Sequence, residues 1–166
     1  MSYRFRSLLV VMLVALAAAC GVMRRAAHAV APQPDPPAAT RWNATLWEPS
    51  DTTADRGDTS GPHGIAWMAP GSSDNHTIRV RIAMHRGDPS QKYVWRVHFG
   101  KCDNDQGVFG PPAAYHDLVT DTTGVASSYA LFALGFPSSG QYFVRVDRVA
   151  GADPDTFICG NLAPPK

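Results

Sequence analysis

The sequence has no cluster of basic residues. Its 166 residues carry 15 Lys and Arg against 14 Asp and Glu. If the chain is cut before Cys20, Arg4 and Arg6 leave with no acidic residue. Lys plus Arg then falls to 13 and the net charge to −1. No basic stripe remains to follow a phosphate backbone, which excludes nucleic acid as the expected partner. It also excludes electrostatic docking to an anionic bilayer. There is no apolar run of the ~20 residues that a membrane-spanning helix needs. The six histidines, His28, His63, His76, His85, His98 and His116, form no H-x-H or H-E-x-x-H spacing. A nucleotide-binding glycine loop and a G-x-S-x-G elbow are absent, and no internal repeat is visible. By motif alone, the chain announces no enzyme.

The N-terminus carries an address. Arg4 and Arg6 precede "SLLVVMLVALAAAC", a basic n-region followed by an apolar h-region and small residues, the pattern of a secretory signal. Two cuts satisfy the small-residue rule. "LAAAC", Leu16 to Cys20, followed by Gly21, suits a bacterial lipoprotein signal, although leucine falls one place early and Ala17 takes its position. A cut after "AHA", Ala27 to Ala29, suits a plain secreted protein, but leaves Arg24 and Arg25 inside the cleavage region. The expected organisation is a lipoprotein-type signal peptide over 1–19, a Pro/Ala-rich linker over 20–40 and one domain over 41–166. Cys20 would carry the lipid that ties the protein to a membrane. The linker's "APQPDPPAAT", Ala31 to Thr40, is held extended by proline and offers little to bury.

Only three cysteines are present. With Cys20 lipidated, Cys102 and Cys159 remain as a pair in an oxidising compartment, where disulfides persist. Two unrelated free thiols are the alternative.

The domain reads as strands. "TIRVRIAM", Thr77 to Met84, alternates most cleanly, with Ile78, Val80, Ile82 and Met84 on one face and Arg79 and Arg81 on the other. "WNATLW" (Trp42 to Trp47), "GIAWMA" (Gly64 to Ala69), "QYFVRVDRV" (Gln141 to Val149) and "TFICG" (Thr156 to Gly160) follow the same pattern. "EPSDTTADRGDTSGPH" reads as a loop and "HRGDPSQ" as a turn. "GVASSYALFAL", Gly124 to Leu134, suits a helix as well as a strand. A weak strand around Ala113 to Val119 brings the count to about eight, which predicts an all-β sandwich or barrel. In "KYVWRVHFGKC", Lys92 to Cys102, alternation sends Tyr93, Trp95, Val97 and Phe99 inward, and Arg96 and His98 together to the other face.

The order "YVWRVHFGKC", "GVFGPP", "DLVTDTTGVA", "YFVRVD", "FICGNL" resembles the copper/zinc superoxide dismutase family over roughly Lys92 to Leu162. The most specific parts are the cysteine contexts "FGKC" and "ICG". The resemblance implies an eight-stranded Greek-key β-barrel, a Cys102–Cys159 bridge and a metal site on the outside of the barrel wall.

Carried over place by place, the resemblance leaves little of that metal site. Arg96 stands at the first histidine of the family's H-x-H, and His98 keeps the second. Val108 stands at the bridging histidine, and Asp147 at the histidine closing the "VVVH" strand. Asp117 matches the family's zinc aspartate, while His116 is near but out of register. The substrate-guiding loop is cut down to "RVAGADPDTFI", with no arginine in the guiding place. A guanidinium has no lone pair to donate, and a valine cannot bridge two metals. Arg96 is expected to face Asp147 instead.

Three readings follow. The first is a non-catalytic envelope module without metal, binding a protein or small molecule. The second is a dismutase that holds copper or zinc in a rebuilt site of His98, His116, Asp117 and Asp147. The third is an immunoglobulin-like secreted sandwich with one disulfide.

Overall fold

The computed structural model describes residues 34–49, 60–71, 75–149 and 156–165. The expected signal peptide and lipidated Cys20, the first part of the expected linker and most of the loop after Trp47 lie outside the described residues. Pro36–Lys166 forms one compact unit. Just ahead of the first strand, Ala38–Thr40 makes a 3-10 turn in which the Thr40 N–H and hydroxyl both donate to the Pro37 carbonyl. The linker's end is therefore folded back, not extended.

Nine strands follow among the described residues. They are β1 (Trp42–Leu46), β2 (His63–Pro70), β3 (Ile78–His85), β4 (Lys92–Lys101), β5 (Asn104–Val108), β6 (Leu118–Val119), β7 (Ala126–Phe132), β8 (Tyr142–Arg148) and β9 (Thr156–Leu162). They form two antiparallel sheets, ordered β1-β2-β3-β7 and β5-β4-β8-β9, with β6 added to β4. No helix among the described residues is long and apolar enough to cross a membrane.

The sheets pack face to face as a sandwich. Ile78, Val80, Ile82 and Met84 fill one side of the core, as their alternation predicts. Trp95, Val97, Val144, Val146 and Ile158 fill the other. Burying each such aliphatic side chain stabilises by about 1.5–3 kcal/mol relative to exposure. The ambiguous alanine-rich stretch is strand β7: Ala126, Ser128, Ala130 and Phe132 point inward, a period of two that a helix does not give.

The sheets do not close into the expected barrel. They meet at isolated bridges, Asn43 with Ala163 and Trp47 with Cys159 on one side, and Tyr115 with Ala130 on the other. At the first of these seams Gly160 lies directly against the Thr45 backbone, and any Cβ there would strike the Thr45 carbonyl.

Two further expectations are corrected. The strand count is nine, not eight, because "NDQGV" forms β5, to which the sequence pattern assigned no strand. The weak strand around Ala113 to Val119 is instead a 3-10 turn (Pro112–Ala114), a single bridge at Tyr115 and the two-residue β6.

Candidate functional site

The outer face of β4 is built by three strands. β8 lies on one side, pairing Val94 with Asp147, Arg96 with Arg145 and His98 with Phe143. β5 lies on the other, pairing His98 with Val108. The β4–β5 turn is Cys102–Asp103, and Cys102 is bridged from there to Cys159 on β9, with Cα atoms 5.9 Å apart. The expected disulfide is present.

A bulge between His98 and Gly100 shifts the register at the end of β4. Gly100 takes φ +98°, a conformation that disfavours other residues. Beyond His98 the simple alternation breaks. Phe99 was expected in the core and is instead 40 % exposed. His98, expected on an open polar face, is 8 % exposed. The Phe143 ring covers it at 5.1 Å between centroids, and Asp105 reaches it from β5.

His98 starts a ladder of hydrogen bonds. Its Nδ1 lies 2.9 Å from Asp105 Oδ1. Ionised carboxylates only accept, so Nδ1 carries the proton and, in the neutral ring, the lone pair sits on Nε2. Asp105 Oδ1 also accepts the Gly107 N–H at 2.8 Å. Its Oδ2 meets Arg145 Nη1 at 3.4 Å, and Arg145 Nε donates to Asp147 Oδ1 at 2.6 Å. Burial pushes the Asp105 carboxyl up, but the Gly107 N–H, His98 and Arg145 outweigh it and hold it below the usual range. Asp147 therefore pairs with Arg145. The expected Arg96–Asp147 pair is not formed, because Arg96 faces the Arg145 position across the strands.

The other predicted residues lie elsewhere. Asp117 pairs with Lys92 at 2.7 Å, in solvent. Lys92 precedes His98 by six residues of β4, roughly 20 Å along the strand. The His116 ring leans on Tyr129, with centroids 4.7 Å apart. The His116 carbonyl accepts Trp95 Nε1–H at 2.7 Å and the Ser128 hydroxyl at 2.8 Å, which holds this segment across the seam. His98, His116, Asp117 and Asp147 are thus not brought together. Among the described residues, no three His, Cys, Asp or Glu side chains are grouped to hold a metal ion. The ladder links His98, Asp105, Arg145 and Asp147 across a half-covered sheet face.

Two features were missed in the sequence. One is Asp105, whose segment "NDQGV" shows no apolar alternation. The other is a groove of about 530 Å³ along the β1–β9 seam, walled by Thr45, Trp47, Glu48, Asn161 and the disulfide. It arises from pairing between the first and last strands, which no local pattern signals. No protein-family model matches the chain, and no curated protein matches it in sequence.

Proposed function

We propose that the protein is an exported, lipid-anchored bacterial envelope protein whose domain is a superoxide dismutase-like Greek-key module without dismutase activity, serving as a binding or structural unit. The observation that carries this is the outer face of β4. Arg96 stands opposite Arg145, His98 opposite Val108, and Asp147 is engaged by Arg145. Imidazoles able to hold copper in both oxidation states are missing from those places. Supporting the fold part, the chain passes from one sheet to the other between β3 and β4, and both strands pair within their own sheets with strands much later in the chain, β7 and β8, non-local pairing of the kind a Greek key uses. The bridge between the "FGKC" and "ICG" contexts agrees with the same family. An immunoglobulin-like arrangement fits less well, since β1, β2 and β3 are consecutive neighbours here, whereas that fold sets its fifth strand beside its second.

Superoxide consumption and metal content, measured on one preparation supplied with copper and zinc, test this reading. No consumption is expected, and His98→Ala should leave metal content unchanged. Catalytic consumption abolished by His98→Ala would overturn it. For the anchor, mass spectrometry of the mature N-terminus should find a lipidated Cys20, and Cys20→Ala should release the protein from membranes. A start at Val30 would replace the anchor with plain secretion.

A further inference from the structure

We infer that His63 and His85 form a binding site for a late first-row divalent cation, such as Cu²⁺, Ni²⁺ or Zn²⁺, on the outer face of the β1-β2-β3-β7 sheet. His63 opens β2 and His85 closes β3, and the two are direct cross-strand partners. Residues so paired project from one face with Cβ atoms about 4.5–5.5 Å apart. The core-facing residues beside them are Gly64 and Met84, so both imidazoles lie on the face away from the core. Their rings are nearly parallel, 19° apart, with centroids separated by 5.5 Å.

The orientation of His63 is fixed by chemistry. Its Nδ1 lies 2.9 Å from the Gly61 carbonyl oxygen. A carbonyl can only accept, so Nδ1 carries the proton and the neutral ring keeps its lone pair on Nε2. A backbone carbonyl behind the far nitrogen is the usual support of a metal-bound histidine, because it sets both tautomer and ring angle. On its other side His63 is backed by Trp47, with centroids 6.0 Å apart and planes 26° apart. Trp47, just past β1, and His63 and His85 thus make one row.

The spacing suits a shared ion. Two imidazole nitrogens at the usual 2.0–2.1 Å from one cation lie about 3 Å from each other. With the centroids 5.5 Å apart and His63 held by Gly61, it is the exposed His85 ring that would turn to bring its nitrogen to the shared ion. The neighbouring cation, Arg86, is turned to the Ser60 carbonyl at 3.1 Å. Imidazole pairs select late first-row metals over Mg²⁺ and Ca²⁺, which prefer oxygen ligands. Among the described residues the pair supplies two ligands, and the remaining positions would be filled by water or another donor. None of these residues belongs to the β4 face, so the inference stands independently of the dismutase-like reading.

Titration of the purified full chain with Zn²⁺ alone, followed by calorimetry, tests it. One saturable equivalent should be lost, or weakened by at least roughly 10–100-fold, in both His63→Gln and His85→Gln; even an outer partner of a ligand is worth that much. His116→Gln and His98→Ala should keep it. Cu²⁺ should quench tryptophan fluorescence, and Trp47→Phe should remove most of that quenching. Imidazole nitrogen resonances of the wild type add a readout that needs no variant: the metal should shift Nε2 of His63 and leave Nδ1 protonated. No saturable Zn²⁺ binding by the wild type, or binding kept at full strength in both His63→Gln and His85→Gln, would overturn the proposal.

Discussion

The Cys102–Cys159 bridge joins residues 57 apart in sequence, and its removal should be felt mainly by the unfolded chain. In the chain-entropy account, a loop of that length costs the cross-linked denatured chain about 14 cal/mol/K, or about 4 kcal/mol at 25 °C. The native state keeps its neighbouring bonds in the Cys102→Ala, Cys159→Ala double variant. The Cys102 N–H still donates to Asn161 Oδ1, and the backbone of residue 159 still exchanges two hydrogen bonds with Trp47. Guanidinium unfolding followed by tryptophan fluorescence should therefore show stability lower by about 4 kcal/mol. Its dependence on denaturant should be steeper, since the freed chain exposes more surface. In heat, the midpoint should drop by roughly 10–20 °C for a domain of this size. A variant within about 1 kcal/mol of wild type, with unchanged slope, would refute the reasoning, since a restraint on the unfolded chain cannot be removed silently.

Gly160→Ala should force β1 and β9 apart at Thr45, costing about 1–3 kcal/mol. It should also speed hydrogen exchange at the Asn43 and Trp47 amides, which donate to Ala163 and Cys159; unchanged exchange would refute it. Asp105, held below the usual carboxylate range, stabilises the fold above its ordinary value, and that contribution is lost as pH falls through its lowered one. Acid unfolding curves should consequently show a smaller loss of stability below about pH 4 in Asp105→Asn than in wild type. Burial drives the Tyr115 phenol well above its ordinary value, and its hydroxyl donates to the Phe109 carbonyl at 2.5 Å. This group stabilises the fold below about pH 10 and opposes unfolding less as pH rises further. In an ultraviolet alkaline titration Tyr115 should ionise only as the protein unfolds, and Tyr115→Phe should remove that last step.

Where a strand buries one face, its residues announce it. β3 is legible because four apolar residues alternate with arginine and alanine, and the core takes all four. β7 is less so, since Ala, Ser and Leu suit either period, and only its pairing with β3 decides. β5 is invisible to such reasoning, because "NDQGV" buries nothing and exists through pairing with β4. The same limit hides the ladder on the outer face. Arg145, Asp147 and His98 are readable as outward residues, but their link is Asp105, on the strand without a pattern. The bulge at the end of β4 adds a second error, turning Phe99 out, and no residue type encodes that slip except Gly100 at its positive φ.

The bridge between Asn43 and Ala163, made by two backbone hydrogen bonds of 2.9 and 2.8 Å, places the entry and exit of the fold side by side. A linker of a few residues would join them, so circular permutants opened between the exposed Thr122 and Thr123 should still fold. Anything fused to either terminus of the domain approaches it from one pole. Trp47, just past the end of β1, lies four residues from Asn43, roughly 13 Å towards the opposite pole, and His63 and His85 share its row. That row is presented outward whichever terminus is held.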